Sequence, residues 1–357
     1  MNKRTLWPAR RCARETVPGA RRLFFFWAGG LALLLTACRP PAQPAAPAAY
    51  HWQTRLALQP AESRWLDSLG ARRLYVKFID IALEGQAIRP YALLELADTA
   101  GLAGKTVVPC VFIANSVFQD ISAEKIDWLA QQTTRALLSV GAQFPEADFP
   151  EYQFDCDWTP STRAAFFSFL ARMRAHLPQG ARLSATIRLH QYKFPQQTGV
   201  PPADRGMLML YNTGDIDDPE ETNSIFQPDA AEKYLHGAAG RYPLPLDLAL
   251  PVFSWALVYR DGELWKIIPN AGAYGGPNTV FRIQTATFLG GHYLRPGDLV
   301  RVEAVDSALL RRAAAMAARL PLAGDAVIAF YHLDTATVRH YPARFLRSVC
   351  ETIHNNR

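Results

Sequence analysis

Tyr152-Gln153-Phe154-Asp155-Cys156-Asp157-Trp158 alternates side-chain character with a period of two, as a β-strand with two unlike faces does. Tyr152, Phe154, Cys156 and Trp158 are expected to face a layer of helices. Gln153, Asp155 and Asp157 then face the opposite, enclosed side, with Asp157 nearest the C-terminal end of the strand. Two carboxyl groups on one enclosed face repel, so one of the two pKa values is expected to rise. Outward from this stretch, strand-like runs begin at Tyr50, Leu74, Thr106, Leu183, Met207, Leu246 and Ala326. The first is expected over Tyr50–Leu58. Helical patterns over Gln59–Gly70, Ser122–Val140, Pro160–Leu177 and Asp306–Leu320 separate many of them, with Ser122 as a cap and Pro160 at a start. Strand–helix alternation implies parallel strands joined by crossover helices. Eight strands of this kind point to α/β architecture as a single (β/α)8 barrel. The competing open, doubly wound sheet has no Gly-rich phosphate loop here. Two turn-rich stretches, residues 214–227 and 253–297, follow the sixth and seventh strands and are expected to be long loops over the C-terminal face.

The 357 residues are 49% hydrophobic and 20% charged, which excludes a disordered chain and permits a large core. The net charge of +6 comes from 38 basic and 32 acidic residues, and seven of the former and one of the latter lie within residues 1–37. The remainder is balanced, so no electrostatic footprint for nucleic acid is left on it. The basic leader runs into an apolar stretch, Leu23 to Ala37, and ends at Leu35-Thr36-Ala37-Cys38. A basic segment, a short apolar segment and small residues before a cut are the pattern of a signal peptide, expected over residues 1–37. The tetrad resembles the bacterial lipobox. That resemblance implies acylation (including palmitate) of Cys38 and a bilayer partner reached through it. Residues 38–49 are rich in Pro and Ala and read as a stiff tether, with the barrel over residues 50–357. The expected location is the cell envelope, the outer membrane of a Gram-negative bacterium. Cys110, Cys156 and Cys350 lie far apart in the chain and form no CxxC or Cys/His spacing; Cys110 and Cys156, in apolar strand-like runs, read as buried small hydrophobes. No cofactor and no metal site are expected.

The strand after the quoted one repeats its pattern: Ser184, Thr186, Arg188 and His190 share a face. Lys77 sits in an apolar run where an exposed charge is out of place. Lys77, Asp155, Asp157 and Arg188 are therefore expected to form an ion network inside the barrel, whether for catalysis or only to neutralise one another.

Asp155-Cys156-Asp157-Trp158 resembles the core of the glycoside hydrolase family 18 signature, Asp-x-Asp-x-Glu, at the end of the fourth barrel strand. Met209-Leu210-Tyr211-Asn212 resembles the Met-x-Tyr-Asp/Asn ending that family's sixth strand. The resemblance implies a glycan-active barrel in which the carboxylates of Asp155 and Asp157 orient an N-acetyl group and Tyr211 steadies the intermediate. It covers two short motifs and the architecture. The acid's position is held by Thr159, which cannot donate a proton as Glu does. Asp157 is the internal substitute the pattern offers, since Glu151 lies at the wrong end of the strand. The chain as a whole also resembles a group of barrel lipoproteins from Bacteroidetes-type bacteria.

Substrate-binding candidates are Gln153, Lys77, Arg188, His190, Asn212 and Trp255, around the catalytic candidates Asp155, Asp157 and Tyr211. Trp255 and Tyr259 follow the seventh strand, where aromatic rings suit stacking on sugars; as core residues they need no function. Asp80, His332 and Asp334 end strands on the same rim. Ser254 lacks the Gly-x-Ser-x-Gly context of a hydrolase nucleophile. Two readings stay open: a glycoside hydrolase with an altered acid, and a non-catalytic barrel that binds glycan or a protein partner.

Overall fold

The computed structural model describes residues 46–145, 148–236, 242–270 and 278–355. The expected signal peptide, Cys38 and residues 38–45 of the tether lie outside them. Eight parallel strands close on themselves: β1 (Ala46–His51), β2 (Arg73–Glu84), β3 (Thr106–Ile113), β4 (Glu151–Asp155), β5 (Arg182–Arg188), β6 (Arg205–Met209), β7 (Leu246–Pro251) and β8 (Val327–Tyr331). β1 pairs with both β8 and β2, which completes the (β/α)8 barrel.

Three expectations change. The first strand runs over Ala46–His51 and not Tyr50–Leu58. Its alanines were read as tether, yet Ala48 and Ala49 are buried, because small side chains fit where β1 packs between β8 and β2. Second, the strand–helix alternation lapses between β2 and β3, where the described chain has a single short 3-10 turn, Ala100–Leu102, and no α-helix. β2 instead continues into an antiparallel hairpin with Ala87–Leu93. Third, the stretch after β7 is no irregular loop. Ser254–Arg260, Glu263–Pro269, Thr279–Arg282 and Leu299–Ala304 form a four-stranded sheet, with a hairpin of Thr287–Leu289 and His292–Leu294 beside it. Its own small core contains Ala256, Val258, Ile268, Val300 and Val302. The abundant turn residues between these strands are what made the stretch read as loop.

The layers follow from the strand period. Outward-facing Phe154, Cys156 and Trp158 pack on the helix Arg163–His176, with Trp158 stacked on Phe166 at 5.3 Å and Phe154 edge-on to Phe169 at 5.8 Å. Each such buried ring contributes about 1.5–3 kcal/mol. The helix Ala123–Gly141 starts at Ser122, whose Oγ accepts from Lys125 N at 3.3 Å. The helix Pro60–Leu69 stops at Gly70, which takes a left-handed φ of 79°, a conformation that glycine adopts without steric cost.

The barrel interior has three levels. At the N-terminal end, Arg205 binds Asp247 (2.6 and 2.9 Å) and Asp325 (3.0 and 3.1 Å), while Glu151 takes Arg73 and Ser184. In the middle, Tyr50 stacks on Tyr75 and donates to Gln153 Oε1 at 2.6 Å. The C-terminal level opens into a cleft. No helix of the described residues is long and apolar enough to cross a membrane.

Candidate functional site

A cleft of about 680 Å³ lies over the C-terminal ends of the strands. β4 delivers Asp155 to its floor, where the carboxylate accepts from Thr186 Oγ1 at 2.6 Å. Burial and the neighbouring Asp157 charge push the Asp155 carboxyl up to about 6, against the opposing pull of Arg188 and the Thr186 hydroxyl. This is the rise that two stacked carboxylates predict.

Asp157 lies just beyond β4 and is ion-paired through both oxygens to the Arg188 guanidinium. Burial alone would lower the pKa of Arg188, but the Asp157 bond and the charges of Asp157 and Asp155 hold it above its ordinary value. Arg188 lines the cleft and Asp157 does not. The expected four-membered network does not form as direct contacts: Arg188 takes Asp157, Lys77 Nζ binds Asp80 Oδ2 at 2.7 Å, and Asp155 is held by Thr186. Asp157, the substitute acid that the sequence pattern offers, is engaged by Arg188 and lies outside the cleft lining. Thr159 offers no replacement. Its hydroxyl shares hydrogen bonds with Ser161 (2.9 Å) and Thr162 (3.3 Å) ahead of the helix Arg163–His176.

Of the remaining candidates, Lys77, Tyr211, Asn212 and Trp255 line the cleft. Tyr211 stacks on Tyr331 at 5.4 Å and donates to Met209 Sδ at 2.9 Å; burial, with Tyr331 next, raises its pKa. Asn212 takes a left-handed φ of 54°, which Asn tolerates better than most residues. Trp255 comes from the first strand of the inserted sheet, and its Nε1 donates to Glu303 Oε2 at 2.7 Å. Gln153 is fully buried one level below, held by Tyr50 and outside the cleft lining. His190 is exposed on the short helix Leu189–Lys193, also outside it. Tyr259 is buried with its hydroxyl on Ile216 O. Asp80 and His332 reach the cleft, whereas Asp334 caps the helix Thr335–His340.

Sequence reasoning missed an aromatic arc along one side. Trp52 meets Tyr331 at 5.5 Å, Tyr331 meets Phe253 at 5.5 Å, and Phe253 meets Trp255 at 5.2 Å. The signal was available in the period of two: Ala48, Tyr50 and Trp52 continue one face of β1, and Val327, Ala329 and Tyr331 one face of β8. Among the described residues, no group of three or more His, Cys, Asp or Glu side chains could hold a metal ion.

No family model and no curated protein matches the chain. Solved structures do. The spore cortex-lytic enzyme SleL of Bacillus cereus matches at 14% identity over 86% of this chain and 74% of that one, with a TM-score of 0.51. A chitinase from Chromobacterium violaceum matches at 16% identity over 83% and 97%, with a TM-score of 0.49. A glycoside hydrolase family 18 N-acetylglucosaminidase from Paenibacillus barengoltzii matches at 12% identity over 88% and 100%, with a TM-score of 0.43. The chain therefore has a (β/α)8 barrel whose fold is like that of SleL.

Proposed function

We propose that this chain is a lipid-anchored protein of the cell envelope whose family-18-like barrel binds glycan without cutting it by that family's mechanism. One observation carries the reading. The acid position is Thr159, bound into the turn ahead of a helix, and Asp157, the carboxylate two residues before it, is occupied by Arg188. The cleft nevertheless stays open, with an aromatic side for sugar faces and polar groups for hydroxyls. The likeness in fold to a cortex-lytic enzyme supports a glycan as the ligand. Leu35-Thr36-Ala37-Cys38 supports the anchor, and outer-membrane placement rests on the same tetrad.

The test is to incubate the protein with a panel of N-acetylglucosamine-containing and neutral oligosaccharides, following binding by tryptophan fluorescence and cleavage by new reducing ends. Binding without cleavage is expected, and Asp157→Asn should weaken binding by freeing Arg188. A second reading has its own support, since a carboxyl held at about 6 can act as a proton donor. Cleavage that disappears in Asp155→Asn would replace the binding reading with that one. For the anchor, Cys38→Ser should abolish palmitate labelling and move the protein out of the membrane fraction.

A further inference from the structure

The cleft contains a second ion pair, Lys77–Asp80, that the family-18 resemblance does not account for. Residues three apart in a regular strand point to opposite faces. In β2 they share one, because the register against β3 skips a residue. Lys77 pairs with Cys110 and Asp80 with Phe112, with a shift between Lys77 and Ile79. Cys110 and Phe112 are two apart on one face, so Lys77 and Asp80 are also on one face. Phe78 is turned the other way, stacked on Phe144 at 5.1 Å and edge-on to Phe149 at 5.5 Å. A bulge of this kind re-aims a side chain beside a site.

Both side chains line the cleft, at 13% and 17% exposure, with Nζ and Oδ2 2.7 Å apart. The bond between them leaves Nζ two more hydrogens and Oδ2 another lone pair. A donor and an acceptor at this spacing match two adjacent hydroxyls on a pyranose ring. Lys77 Nζ lies over the Trp52 ring, 5.6 Å from its centroid, and Trp52 also lines the cleft, so a sugar bound to Nζ comes against the part of the ring that the ammonium leaves uncovered.

We infer that Lys77 and Asp80 clamp a vicinal diol: Nζ donates to one ring hydroxyl and Oδ2 accepts from its neighbour, with that ring's apolar face on Trp52. The ligand class is a glycan bound through an internal 4-linked hexose residue, whose hydroxyls at C2 and C3 are both free. A 2-acetamido sugar inside a 4-linked chain lacks that pair. The inference rests on the glycan-binding reading and adds which sugar the cleft selects.

The experiment measures Kd for cellotetraose, β-1,4-mannotetraose and tetra-N-acetylchitotetraose by fluorescence quenching of the cleft tryptophans. It uses the full chain as wild type, Asp80→Asn and Lys77→Met, each checked for folding by thermal melting. Wild type should prefer a hexose tetramer. Each variant should lose about tenfold or more for that tetramer, with little change for tetra-N-acetylchitotetraose. Should Lys77→Met unfold, Asp80→Asn still decides the matter, since it keeps the shape and an acceptor for Lys77. A preference that survives in Asp80→Asn, or a wild-type preference for tetra-N-acetylchitotetraose, overturns the clamp and leaves the glycan-binding reading standing. Failure of wild type to bind any of the three removes both.

Discussion

Asp155 carries the clearest electrostatic consequence of the fold. Its carboxyl titrates near 6 in the folded chain and near an ordinary value of about 3.9 when unfolded. A raised folded pKa means that the proton-linked stability is fully present below about 3.9 and lost as pH rises through about 6. The ionised side chain therefore works against folding at pH 7. Asp155→Asn keeps an acceptor for Thr186 and removes the charge, so it should stabilise the protein by about 1–2 kcal/mol at pH 7. At pH 4 the gain should vanish. Urea melts at both pH values check this, and a gain independent of pH would contradict it. His51 pulls the other way: burial and His332 lower its pKa to about 4, so its contribution is lost on acidification. That term is common to variant and wild type and cancels in the difference.

Among the elements, the inserted sheet does the most to shape the cleft. Its Trp255, Ile267 and Pro269 line one side. The sheet is tied to the segment after β6 through a fully buried pair, Arg301–Glu303. Glu303 also takes Ser224 Oγ and Trp255 Nε1 at 2.7 Å each, and Arg301 reaches Asp218 O. Removing one partner of a buried pair leaves an uncompensated charge. Glu303→Gln should therefore cost about 3–5 kcal/mol. The double variant Arg301→Met with Glu303→Gln should recover much of that loss. Chemical denaturation measures both, and equal stability of the single and double variants would show that Arg301 is not the cause.

At the scale of the whole molecule, the barrel separates stability from recognition along its axis. The N-terminal end holds the Arg205–Asp247–Asp325 and Arg73–Glu151–Ser184 groups, and the C-terminal end holds the cleft. Arg205→Met should destabilise the fold by about 3–5 kcal/mol, because Asp247 is buried and loses its guanidinium partner. The Kd of any ligand that binds wild type should not change while the variant stays folded. A large change in Kd at unchanged fold would mean that the two ends are coupled.

Much of this architecture was legible in the chain. The period of two in Tyr152–Trp158 assigned faces that the structure keeps, and strand–helix alternation was enough for a closed barrel, because both are local consequences of burying one face. Tyr211, Asn212, Lys77 and Arg188 were legible as cleft residues because each lies in or just past a strand-like run that heads for the C-terminal rim. The depth of Gln153 along the axis, and the partner each charge takes, were not legible. Lys77 meets Asp80 because of a one-residue register skip against β3, and Asp157 meets Arg188 because β4 and β5 end side by side. The strand 254–260 read as part of a turn-rich loop, because its pairing with 299–304 lies across forty residues or more of chain. By itself the sequence determined the barrel, its faces and the missing acid at Thr159. Tertiary structure decided which carboxylate stays free and which walls enclose it, because those depend on contacts between residues far apart in the chain.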